Sequence, residues 1–423
     1  MSLNRALAPE IVLPKQINFP TAEREILDNK LPLYLVPGTT EPVVRIMLFF
    51  EAGKYFEAKK HVSLITNGML DKGTLTKNAY QIAESLDFYG ASLRFESNLY
   101  LSSFTLSCLK SQLPYILPIL NDILIHAQFP EDELSKLLSR AKQKLKINLK
   151  KSEYIASQHF NAALFGESHP FGYPLTFEDI DNIEQEDLVN HHQLYYGVND
   201  FTFGVVAGDI GNQEMKLLQL YLGNIPSIKT QTLNHISNPS DKFKIETQKE
   251  KSVQAALRVG NTSIGIQNED YQAFKVVNTI LGGYFGSRLM SNIREDKGYT
   301  YGIYSHLIPV KDLSIFIIST EVGNEYKENT LQEISKEIER LKNEPVGKEE
   351  LMMVKNYLTG KLMKDVDGPL KTANTLKKLL SFGQNQWTIN EIHQIIQEID
   401  AKRIQELANK YLDFDKMYKV IAS

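Results

Sequence analysis

The sequence contains little cysteine and no long apolar run. Cys108 is the only cysteine, which excludes an internal disulfide and a zinc site built from cysteines. No run of about 18 apolar residues occurs, so no transmembrane helix is predicted. The N-terminal segment, MSLNRALAPEIVLPKQ, has no apolar stretch typical of a signal peptide. We therefore expect a cytoplasmic protein, or a periplasmic one if a leader has been removed.

The sequence also has no excess of basic residues. Its 47 Lys and Arg residues are outnumbered by 51 Asp and Glu residues, which gives a formal net charge of -4. This balance argues against a nucleic-acid partner and against binding to a membrane surface. With 423 residues, 42% of them hydrophobic, the chain is long enough for more than one globular domain.

Several catalytic motifs are missing as well. Neither H-E-x-x-H nor H-x-x-E-H occurs, and there is no G-x-S-x-G or P-loop sequence. His191 and His192 are adjacent, so on a helix their side chains point about 100° apart and do not readily chelate one ion. The chain therefore carries no self-sufficient catalytic constellation.

An internal duplication organises what is present. Three matches recur at displacements of 217, 217 and about 215 residues: Glu133-Leu134 with Glu350-Leu351, Ala156 and Phe165-Gly166 with Ala373 and Phe382-Gly383, and Val205-Val206-Ala207 with Val420-Ile421-Ala422. Self-similarity at a long period indicates repeated structural units. We predict an α+β protein of two homologous domains, each a mostly antiparallel sheet with helices covering one face.

Composition predicts where the two domains meet. Residues 224–242, NIPSIKTQTLNHISNPSDK, are rich in Ser, Thr, Asn and Pro and show no period of 2 or 3.6. Such a segment is typical of a linker. The predicted division is therefore an N-terminal domain over 1–223, a linker over 224–242 and a C-terminal domain over 243–423.

The stretch LGGYFGSRLMSNIREDKGYTYGIYS, residues 281–305, places a cation and a phenol close together in sequence. It is predicted to form a glycine turn, a helix capped by Ser287 and a strand over residues 300–305. Arg294 lies late on the helix and Tyr301 at the start of the strand. Taken alone, these residues favour an ordinary surface corner between a helix and a strand.

The chain resembles the pitrilysin/insulinase family of zinc peptidases, which includes the mitochondrial processing peptidases. The most specific match is to the pattern SRL-x(3)-IR-x(2)-KG-x-x-Y, which here runs from Ser287 to Tyr301. Gly90-Ala91-Ser92-Leu93, His169 to Pro174 and Tyr195 to Asp209 also look like the family. The resemblance implies the duplicated fold predicted above.

The resemblance fails at the zinc site. Active members carry H-x-x-E-H before the sequence K-G-T, and aligning Lys72-Gly73-Thr74 places Leu64, Asn67 and Gly68 at the first His, the Glu and the second His. The third ligand, a Glu, is expected near residues 144–146, which read KLK. The resemblance thus implies no metal in this chain, and lysines near the former site would repel a divalent cation.

The chain resembles the zinc-free bacterial members of the family, and this resemblance implies a subunit that works together with a homologous zinc-bearing subunit. Arg294 and Tyr301 match the pair that such subunits supply for peptide binding and oxyanion stabilisation. The expected partners are that zinc-bearing subunit and a peptide substrate, and the chain is not expected to be active alone. The alternatives are a purely structural scaffold subunit and, less in keeping with the residues, an independent protease with other ligands.

Overall fold

The computed structural model describes residues 14, 16–38, 41–231, 233–248 and 252–423. The sequence GTTEP, residues 38–42, predicts a turn between two strands, and residues 39 and 40 of it lie outside the described ranges. The N-terminal half contains six strands and eight helices within this part: β1 (Glu23–Ile26), β2 (Pro32–Val36), β3 (Val43–Phe50), α1 (Val62–Met69), α2 (Ala79–Phe88), β4 (Ser92–Ser97), β5 (Ser102–Leu109), α3 (Leu113–Ile125), α4 (Glu131–Asn148), α5 (Ser152–Phe165), α6 (Phe177–Asp181), α7 (Gln185–Tyr195), β6 (Phe203–Ala207) and α8 (Asn212–Leu222).

The C-terminal half repeats the order of elements from β2 to β6, and among the described residues it has no counterpart of β1 or α8. It contains β7 (Lys244–Thr247), β8 (Gln254–Ile264), α9 (Tyr271–Asn278) with a π-helical extension (Thr279–Gly283), a second π-helical segment (Met290–Asp296), β9 (Ile303–Val310), β10 (Leu313–Gly323), α10 (Lys327–Asn343), α11 (Lys348–Asp365), α12 (Pro369–Leu380), α13 (Thr388–Glu398), α14 (Ala401–Tyr411) and β11 (Tyr418–Ala422). We call Met290–Asp296 the arginine helix, because it carries Arg294.

The two sheets share one five-stranded topology, to which the first sheet adds β1 as an edge strand, and this repetition confirms the predicted fold class. The first sheet has the order β1-β2-β6-β3-β5-β4 and the second has the order β7-β11-β8-β10-β9. In each sheet one strand pair is parallel, β2 with β6 and β7 with β11, and the other pairs are antiparallel. The central strands are apolar, as the buried run FGVVA of β6 illustrates, because both of their faces are covered.

One helix of each half packs on the sheet of the other half. In α5, Ala156 contacts Ala256 and Ala422 of the second sheet. In α12, Ala373 packs with Phe203 and Val205 of the first sheet. The remaining helices cover the opposite face of their own sheet, where two large cores form. Sequence analysis placed helices on one face only, and it gave no indication of this exchange.

The segment predicted as a linker lies against the first half. The backbone N–H groups of Asn238 and Ser240 donate to Phe165 O and Ala163 O at 3.0 and 2.9 Å. His235 Nε2 lies 2.9 Å from Tyr55 O. Backbone hydrogen bonds of this kind hold a segment in one course although it forms no helix. The division at 224–242 itself stays a prediction.

Candidate functional site

The arginine helix is anchored on its inner side. Met290 and Ile293 are fully buried in the core of the second half. Just before it, Arg288 makes a two-point ion pair with Glu350 of α11, with Nε–Oε1 and Nη2–Oε2 distances of 2.8 and 2.9 Å. A bidentate pair of this geometry is strong and directional. The apolar contacts and the ion pair together set the orientation from which Arg294 projects.

The guanidinium of Arg294 has few partners. Its Cζ lies 4.5 Å from the ring centroid of Phe285, a cation–π contact with a side chain that is itself exposed. Its Nη1 lies 3.8 Å from the carboxylate of the adjacent Glu295, beyond hydrogen-bond distance. A guanidinium carries five N–H donors. Most of the hydrogen-bonding capacity of Arg294 is therefore available to a ligand.

Tyr301 lies in the short loop before β9 and is 95% exposed. The loop is held by its backbone and by its threonine. Thr300 Oγ1 donates to Glu321 O at 2.7 Å, and the preceding turn uses Gly298 at φ 68°, a conformation that favours glycine. A fixed loop with an exposed phenol is typical of a side chain presented for binding rather than packing.

The structure keeps Arg294 and Tyr301 on one connected unit. The Tyr299 N–H donates to Ile293 O at 3.0 Å, which ties the loop of Tyr301 to the backbone beside Arg294.

The predicted strand start was wrong, because β9 begins at Ile303 and leaves Tyr301 outside the sheet. The predicted cap was wrong as well. Ser287 is buried, and its Oγ has no hydrogen-bond partner among the described residues.

The three positions predicted to correspond to zinc-site residues lie on α1 in the first half, and their side chains do not fit a metal. Leu64 is exposed and apolar. The Asn67 amide is buried and its Nδ2 lies 3.3 Å from the hydroxyl of Tyr196. Gly68 has no side chain, and a Cβ added there would lie 3.4 Å from Leu137 of α4. None of the three supplies the nitrogen, sulfur or carboxylate ligand that zinc requires.

Positive charge surrounds these positions. The pKa of His61, at the start of α1, is lowered to about 4, first by burial and then by the charges of Lys54 and Lys144. Lys144 is a residue of α4 in the segment where the third ligand was expected. Among the described residues, no group of three or more His, Cys, Asp or Glu side chains is arranged to hold a metal ion. The geometry and charge disfavour zinc here.

Sequence analysis missed a half-buried polar cluster beside α1. The carboxylate of Glu57 accepts hydrogen bonds from the hydroxyls of Tyr173 and Ser63. Lys54 Nζ lies 3.7 Å from the ring centroid of Tyr173. Burial raises the pKa of Glu57, whereas the Tyr173 hydrogen bond lowers it. The cluster fixes the start of α1 because the backbone N–H of His61 donates to the Tyr173 hydroxyl at 3.1 Å. The sequence contains no local motif that predicts this cluster.

The sequence gives no signal for the Arg288–Glu350 pair, although each residue belongs to a recognisable pattern. Arg288 belongs to the SRL match, and Glu350 belongs to the duplication. Neither pattern indicates that the two side chains, 62 positions apart in sequence, are in contact.

No helix within the described ranges has the length and apolarity needed to cross a membrane.

Comparison with known proteins identifies relatives over nearly the whole chain. Residues 35–175 match the family described as insulinase (peptidase family M16), and residues 182–358 match the peptidase M16 inactive domain. An uncharacterized zinc protease, YmxG of Bacillus subtilis, is 25% identical over 405 residues, 95% of this chain and 98% of the relative. A non-peptidase homolog, also named YmxG, from Helicobacter pylori is 24% identical over 417 residues, 95% of this chain and 93% of the relative.

Two solved structures share the fold. A peptidase M16 inactive domain from Pseudomonas fluorescens superposes with a TM-score of 0.86 at 23% identity, covering 95% of this chain and 98% of that one. A protease from Helicobacter pylori gives a TM-score of 0.86 at 16% identity, covering 96% and 100%. At these identities the likeness concerns the fold alone.

Proposed function

Because the chain belongs to the insulinase family of peptidases, family M16, and matches its inactive domain, we propose that it is the zinc-free subunit of a two-subunit peptidase. In this proposal a homologous subunit brings the zinc ion, which activates the attacking water. This chain binds the peptide and donates hydrogen bonds from Arg294 and Tyr301 to the carbonyl oxygen as it becomes an oxyanion.

One observation carries the proposal. Arg294 and Tyr301 are presented with most of their donors free of protein partners, on a unit that the core and the Arg288–Glu350 pair hold in place. Donors that are fixed before the reaction stabilise developing charge without a reorganisation cost. A scaffold subunit has no need to present both groups in this way.

Relatives support the coarser part of the proposal. One relative is named a non-peptidase homolog, and α1 of this chain lacks metal-ligating side chains at Leu64, Asn67 and Gly68. A chain of this kind requires a second chain for any zinc-dependent hydrolysis. The partner, the peptide and the roles of Arg294 and Tyr301 are the parts that experiment must test.

The test is peptide hydrolysis by the complex with a zinc-bearing homologue encoded in the same genome. Loss of one oxyanion donor typically lowers kcat by about 10²–10³, so Arg294→Ala is expected to lose activity on that scale. Tyr301→Phe removes only the hydroxyl and tests the phenol alone. Arg24→Ala, a change at an exposed arginine of β1, is the matched control.

Complex formation must be measured beside turnover, because a lost interface would also lower activity. Gel filtration of each variant with the zinc-bearing subunit provides that measurement. Intact complexes with reduced kcat support the proposed roles. Turnover unchanged from the parent in both Arg294→Ala and Tyr301→Phe would refute them and favour a scaffold subunit.

A further inference from the structure

One asparagine of the arginine helix is bonded to two carboxylates of α10. Asn292 Nδ2 donates to Glu333 Oε2 at 2.8 Å and to Glu337 Oε1 at 2.7 Å. Hydrogen bonds to charged acceptors are stronger than those between neutral groups. The opposite orientation of the amide would point its oxygen at two carboxylates, so these contacts fix which atom faces α10. We call these three side chains the amide anchor.

Glu337 has almost no access to water. It is 3% exposed, and its Oε2 has no hydrogen-bond partner among the described residues. Arg340 Nη1 lies 3.6 Å from that oxygen, close enough for an ion pair but beyond hydrogen-bond distance. A buried carboxylate is costly without donors, and the Asn292 amide donates to this one. Burial of Glu337 therefore ties the arginine helix to α10.

A second contact joins the loop of Tyr301 to the start of α10. The rings of Tyr299 and Tyr326 are stacked, with centroids 4.6 Å apart and an interplanar angle of 13°. Tyr326 comes immediately before α10, and Tyr299 also packs against the core of the second half. A stacked aromatic pair is favourable beyond the area that it buries. We call this contact the tyrosine stack.

The two anchors have the same place relative to the two donors. Asn292 lies two residues before Arg294, and Tyr299 lies two residues before Tyr301. The Tyr299 N–H also donates to Ile293 O, so the two anchored backbones are bonded to each other. One helix, α10, thus holds the chain within two residues of each donor.

The backbone of the arginine helix needs such support. It is a π-helix, and the Lys297 N–H donates to Asn292 O, five residues earlier, at 2.9 Å. π-Helices are rare and usually limited to a single turn, and they are frequent at functional sites. An uncommon backbone geometry persists where the surrounding structure imposes it. The amide anchor supplies a constraint of this kind from the middle of the segment.

We propose that α10 is a positioning element of the candidate site, in which the amide anchor sets Arg294 and the tyrosine stack sets Tyr301. This inference rests on the proposed function for the reaction that the two donors serve. Donors stabilise an oxyanion from fixed places within hydrogen-bond distance of it, and a misplacement of about 1 Å can lower the rate about 10²-fold. The side chains of α10 act through the two donors and not on the peptide itself.

Tyr326→Ala and Tyr326→Phe test the tyrosine stack in the complex with the zinc-bearing homologue. Tyr326→Phe keeps the ring and should retain the kcat of the parent. Tyr326→Ala should lower kcat by about three- to tenfold, the change in population that one aromatic pair accounts for. The loss is partial because Thr300 still holds the loop through Glu321 O. KM should stay unchanged, since the lost interaction matters only in the transition state.

Double-mutant cycles separate positioning from a general loss of structure. If Tyr326 acts through the Tyr301 hydroxyl, Tyr326→Ala should lower kcat no further in a protein that already carries Tyr301→Phe. The same loss of kcat in both backgrounds would show a merely structural role and overturn this part of the inference.

A second cycle tests the amide anchor. Asn292→Ala should lower kcat about tenfold or more, because each hydrogen bond to a charged group accounts for at least that factor. It should lower kcat no further when Arg294→Ala is already present, and additive losses would overturn its role. If Asn292→Ala does not fold, Asn292→Ala/Glu337→Met removes the buried carboxylate as well and takes its place in the cycle.

Amide hydrogen exchange of the chain alone gives a measurement that does not depend on hydrolysis. The Tyr299 N–H, which donates to Ile293 O, reports whether the loop stays in place. Tyr326→Ala should speed its exchange by about three- to tenfold, and Tyr326→Phe should not. Tyr115→Ala is the matched control, because Tyr115 is an exposed tyrosine stacked on Tyr89 in the first half. It should change neither this exchange nor kcat.

Failure of this inference and failure of the proposed function give different results. If α10 does not position the donors, Tyr326→Ala leaves both kcat and the exchange of the Tyr299 N–H as in the parent, whereas Arg294→Ala still lowers kcat. If the proposed function fails, Arg294→Ala and Tyr301→Phe leave hydrolysis unchanged, whereas Tyr326→Ala still speeds the exchange. In that case α10 holds the loop but positions no catalytic group, and the inference is overturned together with the proposed function.

Discussion

The Arg288–Glu350 pair provides the sharpest test of how the site is supported. The Arg288 side chain is 7% exposed, whereas that of Glu350 is 32% exposed. Removing Glu350 leaves a buried guanidinium without its partner, and loss of one member of a buried pair costs about 3–5 kcal/mol. Because Glu350 is partly solvated, we expect Glu350→Ala to cost about 3 kcal/mol, at the lower end of that range.

The reverse substitution should cost less. Arg288→Met leaves Glu350, whose carboxylate can turn towards water, so we expect a loss of about 1–2 kcal/mol. Met also retains much of the apolar volume of the arginine stem. The double variant Arg288→Met/Glu350→Gln leaves no unpaired charge and is expected to be more stable than Glu350→Ala. The order of these three variants follows from burial alone.

Urea unfolding monitored by both far-UV circular dichroism and tyrosine fluorescence measures the order, because two probes test whether the two halves unfold together. Lys371→Met, at the exposed pair with Asp367, is the control and should change the unfolding free energy by less than about 1 kcal/mol. A loss for Arg288→Met that equals or exceeds the loss for Glu350→Ala would refute the reasoning from burial.

Three further predictions concern the cores and the helix exchange. Burial lowers the pKa of His191 from 6.5 to about 4, so between these pH values the unfolded chain binds a proton that the folded chain does not. The unfolding free energy should therefore fall by about 1.4 kcal/mol per pH unit as the pH is lowered from 6.5 towards 4. His191→Gln should remove that contribution. Ala156→Leu should cost about 1–3 kcal/mol in thermal unfolding by overpacking α5 on the second sheet, whereas Ala83→Leu, at an exposed position of α2, should cost little. A Cβ at Gly260 would lie 1.9 Å from Phe316 O, so Gly260→Ala should cost more than about 3 kcal/mol, whereas Gly347→Ala, with no atom within 4 Å, should be tolerated.

Each of these has a clear contrary result. An acid unfolding curve that is identical for the parent and His191→Gln would show that His191 does not titrate as its burial requires. Equal thermal stability of Ala156→Leu and Ala83→Leu would contradict the close packing of α5 on the second sheet. A Gly260→Ala protein as stable as Gly347→Ala would contradict the close approach of β8 and β10.

The repeated fold, and the lack of ligand side chains at the predicted zinc positions, both follow from residue identities. Matching apolar runs such as Val205-Val206-Ala207 and Val420-Ile421-Ala422 must form equivalent buried strands, because their composition permits little else. Likewise, Leu64 and Gly68 cannot ligate a metal in any fold, since neither side chain carries a donor atom. Chemistry of this kind is local, and no tertiary contact changes it.

Local patterns at the candidate site were less decisive. Ser287 has the side chain of a helix cap, but the helix core buries it and leaves its Oγ without a partner. Tyr301 has a β-forming side chain, but the hydrogen bonds of Thr300 hold the loop outside β9. In both places, tertiary packing overrode a local preference because burying Met290 and Ile293 involves far more apolar surface than one capping bond can offset.

By itself, the sequence determined the two repeated halves, the absence of zinc ligands and the pairing of Arg294 with Tyr301 on one short unit. Only the tertiary structure decided that α5 and α12 each cover the opposite half's sheet, and that Glu350 secures Arg288. The physical reason is common to both. Sequence periodicity indicates which face of a helix is apolar, but that face could pack on either of two similar sheets. Charged side chains far apart in sequence interact only once folding has brought their helices together.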